Sequence, residues 1–309
     1  MSQFTNIIGG SVKLNTNYYL PMIGLGTYKI TGQETITAAV DGALKSGYRM
    51  FDTAKYYKNE PELGNAFMEL LPKYSLERKD IFITTKFFPA VSNNRDFARK
   101  MVDESLQNLK TDYLDLVLIH YPKANDSADD DPNNSINRKD AYLELEILKE
   151  ESKVRSVGVS NYESRHIEEI KSYGKMMPAV NQVEFHPHFT RNELFQYCRT
   201  EGVFFQALRF FNSAILITNF IISCIAYSSL ARHHPDLIGD PVIQKIASLL
   251  LLAWPLAIGV GIVPKSQNPS RVMENIKAVE VRLSDEEVQE IMALNKDKNY
   301  IRCVGWLVL

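Results

Sequence analysis

Short apolar runs alternate along most of the chain with longer segments whose apolar positions recur at helical spacing, the pattern of β-then-α units on a parallel sheet. The runs are MIGLG (Met22–Gly26), YRMFD (Tyr48–Asp52), IFITTK (Ile81–Lys86), LDLVLIH (Leu114–His120), RSVGVSN (Arg155–Asn161), AVNQVE (Ala179–Glu184), VFFQA (Val203–Ala207) and VGIVPKS (Val260–Ser266). Eight such units in 309 residues predict a closed (β/α)8 TIM barrel, not an open doubly wound sheet. Ahead of the first unit, SVKLN and NYYLP flank a turn-like Thr16-Asn17 and read as a β-hairpin outside the barrel. No tandem repeat and no Pro- or Gly-rich linker divides the chain, so residues 1–309 are read as one domain.

A strand buried on both faces should be apolar throughout. Run after run nevertheless finishes in polar groups: Asp52, Lys86, His120, Ser160 with Asn161, Gln182, and Lys265 with Ser266. Any one of them is as well explained by a cap or a loop hydrogen bond. Six together, on strand ends that a barrel gathers on one face, predict a site there.

Composition narrows the ligand. The 35 Lys and Arg nearly balance the 37 Asp and Glu, which leaves no basic footprint for nucleic acid or an anionic membrane. A small metabolite is the expected partner of a monomer. Cys198, Cys224 and Cys303 are widely spaced without a CxxC pair, so neither a disulfide framework nor a zinc site is expected. The first residues, MSQFTNIIGGSVKLN, show no basic leader followed by an apolar core. A cytoplasmic location follows as an expectation. No metal is expected: His186, His188, His233 and His234 read as loop or surface residues, and the acidic Asn125–Ser135 lacks the glycine and terminal glutamate of a calcium loop.

The stretch GYRMFDTAKYYKNEPELG, Gly47–Gly64, resembles the aldo-keto reductase family. The resemblance continues through TTK at Lys86, LIHYP at His120, GVSNY at Ser160 and Asn161, NQVE at Gln182, AYSSL at Tyr227, and IVPKS at Lys265, nearly the whole chain. It implies a catalytic tetrad of Asp52, Tyr57, Lys86 and His120. Tyr56 is adjacent, but the family spacing of five from the aspartate selects Tyr57 and leaves Tyr56, with Tyr28, to the substrate pocket.

Chemistry agrees with these roles. Carbonyl reduction needs a hydride donor at carbon and a proton donor where negative charge grows at oxygen. A tyrosine of pKa about 10 is a sluggish acid at neutral pH. An adjacent Lys86 ammonium should favour phenolate, Asp52 should keep that lysine charged, and His120 should orient the carbonyl.

The resemblance also implies NADP(H). Gly24-Leu25-Gly26 is a poor dinucleotide fingerprint, since Lys29 stands where its third glycine would be, so a Rossmann site is not expected. In the family the nicotinamide lies across the barrel mouth. Its carboxamide would meet Ser160, Asn161 and Gln182, Tyr227 would stack on the ring, and Thr27, Ser228 and Leu230 complete the nearby set. Lys265, Ser266 and Arg271 match residues for the adenosine 2′-phosphate, and Glu274 and Asn275 match residues for adenine. Ser270 or Asn268 is suited to cap the helix that begins there.

The chain departs from the family in one place. Leu208–Ala226, almost uncharged, stands between the seventh run and AYSSL, and the polar loop usual after it is missing from VIQKIASLLLLAW. Such a block is long enough to be weighed as a membrane helix, though it carries Arg209, Asn212, Thr218 and Asn219. As a true insertion it is extruded over the catalytic face, or Ile221–Ala226 replaces Val203–Ala207 as the seventh strand. Its Phe, Ile, Leu and Asn content and the clean join left by its removal favour a third origin, a translated intron or shifted exon boundary. No membrane partner is expected. The predicted function is NADPH-dependent reduction of aldehydes or ketones. The alternative is a barrel that binds NADP(H) but is catalytically impaired by the block before Tyr227.

Overall fold

The computed structural model describes residues 4, 6–208, 248–300 and 304–309. A hairpin comes first: β1 (Ser11–Lys13) pairs antiparallel with β2 (Tyr19–Pro21) around a turn in which Asn17 adopts a left-handed φ of 67°. Eight parallel strands follow in sequence order, β3 (Leu25–Gly26), β4 (Met50–Asp52), β5 (Phe82–Phe87), β6 (Leu114–Ile119), β7 (Val154–Ser160), β8 (Val180–Glu184), β9 (Phe204–Leu208) and β10 (Gly261–Ile262). Parallel bridges Ile23↔Ile262 and Gly26↔Lys265 join the first of these strands to the last and close the ring. That seam is thin because Pro264 has no N–H to give the ladder; its carbonyl still accepts from Gly26 N–H at 2.9 Å.

Helices α1 (Gln33–Lys45), α2 (Glu60–Lys73), α3 (Asn94–Leu109), α4 (Asn133–Glu150), α5 (Ser164–Tyr173), α6 (Asn192–Thr200), α7 (Ser248–Ala257), α8 (Pro269–Asn275) and α9 (Asp285–Met292) surround the sheet. Their inward faces follow the helical period. In α1 the buried set Ile36, Ala39, Val40, Ala43 and Leu44 forms one stripe. A capping box starts α9, where Ser284 Oγ accepts from Glu287 N–H and the Glu287 carboxylate accepts from Ser284 N–H.

Two apolar layers result. The larger lies between strands and helices; the smaller fills the barrel floor with Met50, Phe82, Leu116, Leu118, Val180 and Val263, stoppered by Phe4, Leu14 and Leu20 of the hairpin end. Because the floor is plugged with hydrocarbon, the polar strand ends are left to the opposite face.

His186 and His188 lie in a loop, one of the two expected readings, and both are fully buried. His186 Nε2 donates to Glu184 Oε1 at 2.9 Å and its ring stacks on Tyr300, while the His188 carbonyl accepts from Lys296 and Lys298 N–H. They anchor the C-terminal segment, a contact too distant in sequence to be read from local pattern. His233 and His234 lie outside the described residues.

Leu251–Trp254 and Val260–Val263 are buried, and Pro255 between them sits in the last turn of α7, its carbonyl accepting from Val260 N–H at 2.8 Å. The seventh barrel strand is Phe204–Leu208, paired with β8 and β10. Residues 209–226 themselves, the membrane-helix alternative included, lie outside the described residues. Among the described residues no helix is long and apolar enough to cross a membrane.

Trp254 of α7 is fully buried and stacks on Phe185 at 4.8 Å with an interplanar angle of 5°. Trp254→Ala removes that pair and leaves a cavity, and should lower the unfolding free energy by about 3–5 kcal/mol, read by urea denaturation.

Candidate active site

Three strands and one turn bring the four residues of the expected tetrad together. Asp52 closes β4, Lys86 lies near the end of β5, His120 follows β6, and Tyr57 ends a 3₁₀ turn, Lys55–Tyr57, in the loop after β4. Lys86 Nζ donates to Asp52 Oδ1 at 2.6 Å and to Thr53 O at 2.9 Å, and lies 5.2 Å from the Tyr57 ring centroid. The His120 ring is 5.9 Å from that of Tyr57. All four side chains are buried. The choice between the neighbouring tyrosines is now geometric: Tyr57 is 5% exposed and sits over Lys86, whereas Tyr56 is 53% exposed and turns towards Phe88.

Burial sets the charges. Desolvation lowers the Lys86 pKa from its ordinary value, and the charge and hydrogen bond of Asp52 pull it back up. His120 is pushed well below the ordinary imidazole value, first by burial and then by the Lys86 charge. A neutral imidazole at physiological pH follows.

Behind the tetrad the strand ends are cross-tied. Gln182 Nε2 donates to Asp52 Oδ2 at 2.8 Å and to Gln206 Oε1 at 2.7 Å. Ser160 Oγ and the backbone N–H of Asn161 both donate to Gln182 O. Asn161, left-handed at φ 62°, donates its side-chain amide to His120 O at 2.9 Å. Thr27 Oγ1 donates to Asp52 O at 2.9 Å.

These contacts leave acceptors available. Gln182 Oε1 and His120 Nδ1 are buried, and neither has a hydrogen-bond partner among the described residues. A bound group that offers N–H, as a carboxamide does, fits Gln182 Oε1 as its acceptor.

The residues expected to meet the anionic part of the cofactor lie at the seam and on α8. Lys265 bridges to Gly26 at the seam, fully buried, and its pKa is brought down to about 7 by burial and by the charge of Lys29. A buried lysine that feels the charge of the exposed Lys29 is suited to an anion such as a phosphate. Ser266 Oγ accepts from Asn268 N–H, and Asn268 Oδ1 accepts from Ser270 N–H at 2.9 Å, so Asn268 is the cap of α8. Arg271, Glu274 and Asn275 all lie on that helix. Tyr227, Ser228 and Leu230 lie outside the described residues.

An aromatic wall surrounds the mouth. Tyr28 packs on Tyr57 at 4.9 Å, Phe88 stacks on His120 at 4.6 Å, and Tyr121 lies 6.4 Å from Phe88. Phe88 and Tyr121 carried no sequence role, although each follows a strand-end polar residue closely. Trp306 packs on Phe189 and Arg191 of the loop after β8.

Sequence reasoning also passed over Thr53, Asn59 and Glu60. Thr53 Oγ1 donates to Asn59 Oδ1, and Asn59 Nδ2 donates to Thr27 O and Ile30 O, binding the loops after β3 and β4 to each other. For Asn59 and Glu60 the signal was the polar KNEPE string that follows the tyrosines.

The profile of the Aldo/keto reductase family matches residues 22–221. Glyoxal reductase of Bacillus subtilis (strain 168) is 34% identical over 288 residues, 93% of this chain and 94% of that protein. Among solved structures, the aldose reductase of Schistosoma japonicum superposes with a TM-score of 0.78 at 30% identity, covering 96% of this chain and 95% of the other. A Bombyx mori aldo-keto reductase, solved in complex with NADP, gives 0.78 at 27% identity and 96% coverage of both chains.

Removing one partner of a buried pair strands the other charge. Asp52→Asn should therefore cost about 3–5 kcal/mol in urea denaturation, and Asp52→Asn combined with Lys86→Met should recover part of that loss.

Proposed function

Since the chain belongs to the aldo/keto reductase family, we propose that it reduces small aldehydes or ketones to alcohols with NADPH, Tyr57 supplying the proton. The observation that carries the reading is the buried convergence of Tyr57, Lys86, Asp52 and His120 from separate elements on the barrel's polar face. NADPH, when bound, supplies the hydride.

The chain's own groups handle the proton and the developing charge. The Tyr57 hydroxyl donates to the carbonyl oxygen as it becomes alkoxide-like. A lysine ammonium beside the phenol stabilises the phenolate left behind, and Lys86 is the group in that place. Asp52 holds Lys86 charged against the cost of burial. His120, neutral, acts as a hydrogen-bonding dipole that orients the carbonyl; its low pKa makes it a poor proton donor. Tyr28, Tyr56 and Phe88 exclude water and favour a substrate with an apolar body.

For the cofactor, Ser160, Asn161 and Gln182 are assigned to the carboxamide, Thr27 to the nearby set, Lys265, Ser266 and Arg271 to the 2′-phosphate, and Glu274 and Asn275 to adenine. Gln182 Oε1 as a buried acceptor, and Lys265 beside Lys29, support these assignments.

Two measurements test the reading. Tyr57→Phe keeps the ring and removes the proton, so NADPH-linked benzaldehyde reduction should fall by about 10²–10⁴-fold, with NADPH binding, followed by fluorescence, near the parent value. Retained turnover would reject Tyr57 as the acid; absent turnover in the parent with intact binding would favour the impaired, binding-only alternative.

The second test uses pH. Lys265 titrates near 7 in the free protein, and a bound phosphate favours its protonated form. Binding above that pH must therefore take up a proton, so affinity declines as pH rises through 7, approaching about tenfold per unit. Lys265→Met should bind more weakly and lose this slope; a slope unchanged in the variant would show that another group titrates.

A further inference from the structure

Glu60, the first residue of α2, is a buried carboxylate three residues beyond Tyr57. Its Oε1 accepts from Thr85 Oγ1 and from Ser105 Oγ, each at 2.7 Å. Its Oε2 lies 3.2 Å from Lys55 Nζ, and Lys55 reaches Glu104 of α3 at 3.0 Å. Thr85 immediately precedes Lys86 on β5, and side chains alternate along a strand, so Thr85 faces out towards α2 and α3 while Lys86 faces into the barrel. Lys55 opens the 3₁₀ turn that ends in Tyr57. The approach of α2 to α3 that brings these groups together depends on Gly64, where an added Cβ would lie 2.1 Å from Asn108 O.

We propose that Glu60 is a positioning residue: it grips the strand of Lys86 through Thr85 and the turn of Tyr57 through Lys55, and so sets the separation of the two from outside the barrel. Neither Glu60 nor Lys55 is assigned contact with substrate or cofactor. The turn is pinned on its other side by Asn59, whose bonds to Thr53, Thr27 and Ile30 belong to the barrel mouth. Tyr57 is thereby suspended between two anchors, one of which is ionic. The inference rests on the reading of Tyr57 and Lys86 as the proton-donating pair.

Loss of the ionic anchor should loosen the turn without touching the cofactor residues. Small misplacements of reacting groups cost rate steeply, so Lys55→Met and Glu60→Gln should each lower kcat for benzaldehyde by about 10–100-fold, with KM and the NADPH Kd within twofold of the parent. Lys55→Arg, which keeps the charge, should recover most of the rate lost in Lys55→Met. Lys55 is partly exposed, so Lys55→Met keeps the test valid if Glu60→Gln fails to fold. A folded Lys55→Met with the parent's kcat overturns the proposal. So does a loss shared equally by kcat, NADPH affinity and thermal midpoint that Lys55→Arg does not reverse, because that is the signature of a purely structural bond. Tyr57→Phe measured alongside separates the two ideas: if it retains turnover, the proton-donor reading itself fails, whereas a dead Tyr57→Phe beside a fully active Lys55→Met overturns only the role of Glu60.

Discussion

A lysine side chain with no exposure to solvent is costly to keep charged, and Lys86 is held in the barrel by the 2.6 Å bond to Asp52 and the 2.9 Å bond to Thr53 O. Much of the surrounding polar structure exists to make that pair tolerable. Asp52 spends its second oxygen on Gln182, Gln182 turns to Gln206, and the carbonyl of Gln182 gathers Ser160 Oγ and Asn161 N–H. A charge buried at one strand end thus binds β4, β5, β7, β8 and β9 into one polar layer above the apolar floor.

The same pair fixes what its neighbours can do. The Lys86 charge adds to burial in holding His120 neutral, which suits an imidazole that orients a carbonyl and leaves proton donation to tyrosine. Tyr57 is carried not by a strand but by a short turn, whose conformation would be free without outside anchors. Asn59 on one side and the Lys55–Glu60 contact on the other supply them. The barrel gives rigid strand ends; an anchored loop brings Tyr57 to them.

Most of the architecture was legible because its signals are local. Apolar runs of strand length, helical stripes between them and a turn-like Thr16-Asn17 sufficed for eight barrel strands and a hairpin. Polar residues at strand ends marked the face that carries Asp52, Lys86 and His120, and the spacing of the family pattern singled out Tyr57. Local pattern failed where long-range burial decides. His186 and His188 look like ordinary loop histidines until the C-terminal segment covers them, and Pro255 looks like a break until it falls in the last turn of α7, where few ladder bonds remain to be lost. Glu60 looks like a helix's first-turn acid, a role that hides its contacts with β5 and α3.

By itself the sequence determined the periodicities, the order of the βα units and which residue types stand at the strand ends, since these are properties of neighbours along the chain. Only the tertiary structure decided which of those ends share a proton, a charge or a carbonyl. Lys86 meets Asp52 across 34 residues and Gln182 meets Asp52 across 130. Such contacts, and the desolvation that sets the charges of Lys86, His120 and Lys265, arise only when the ring closes and water leaves its interior.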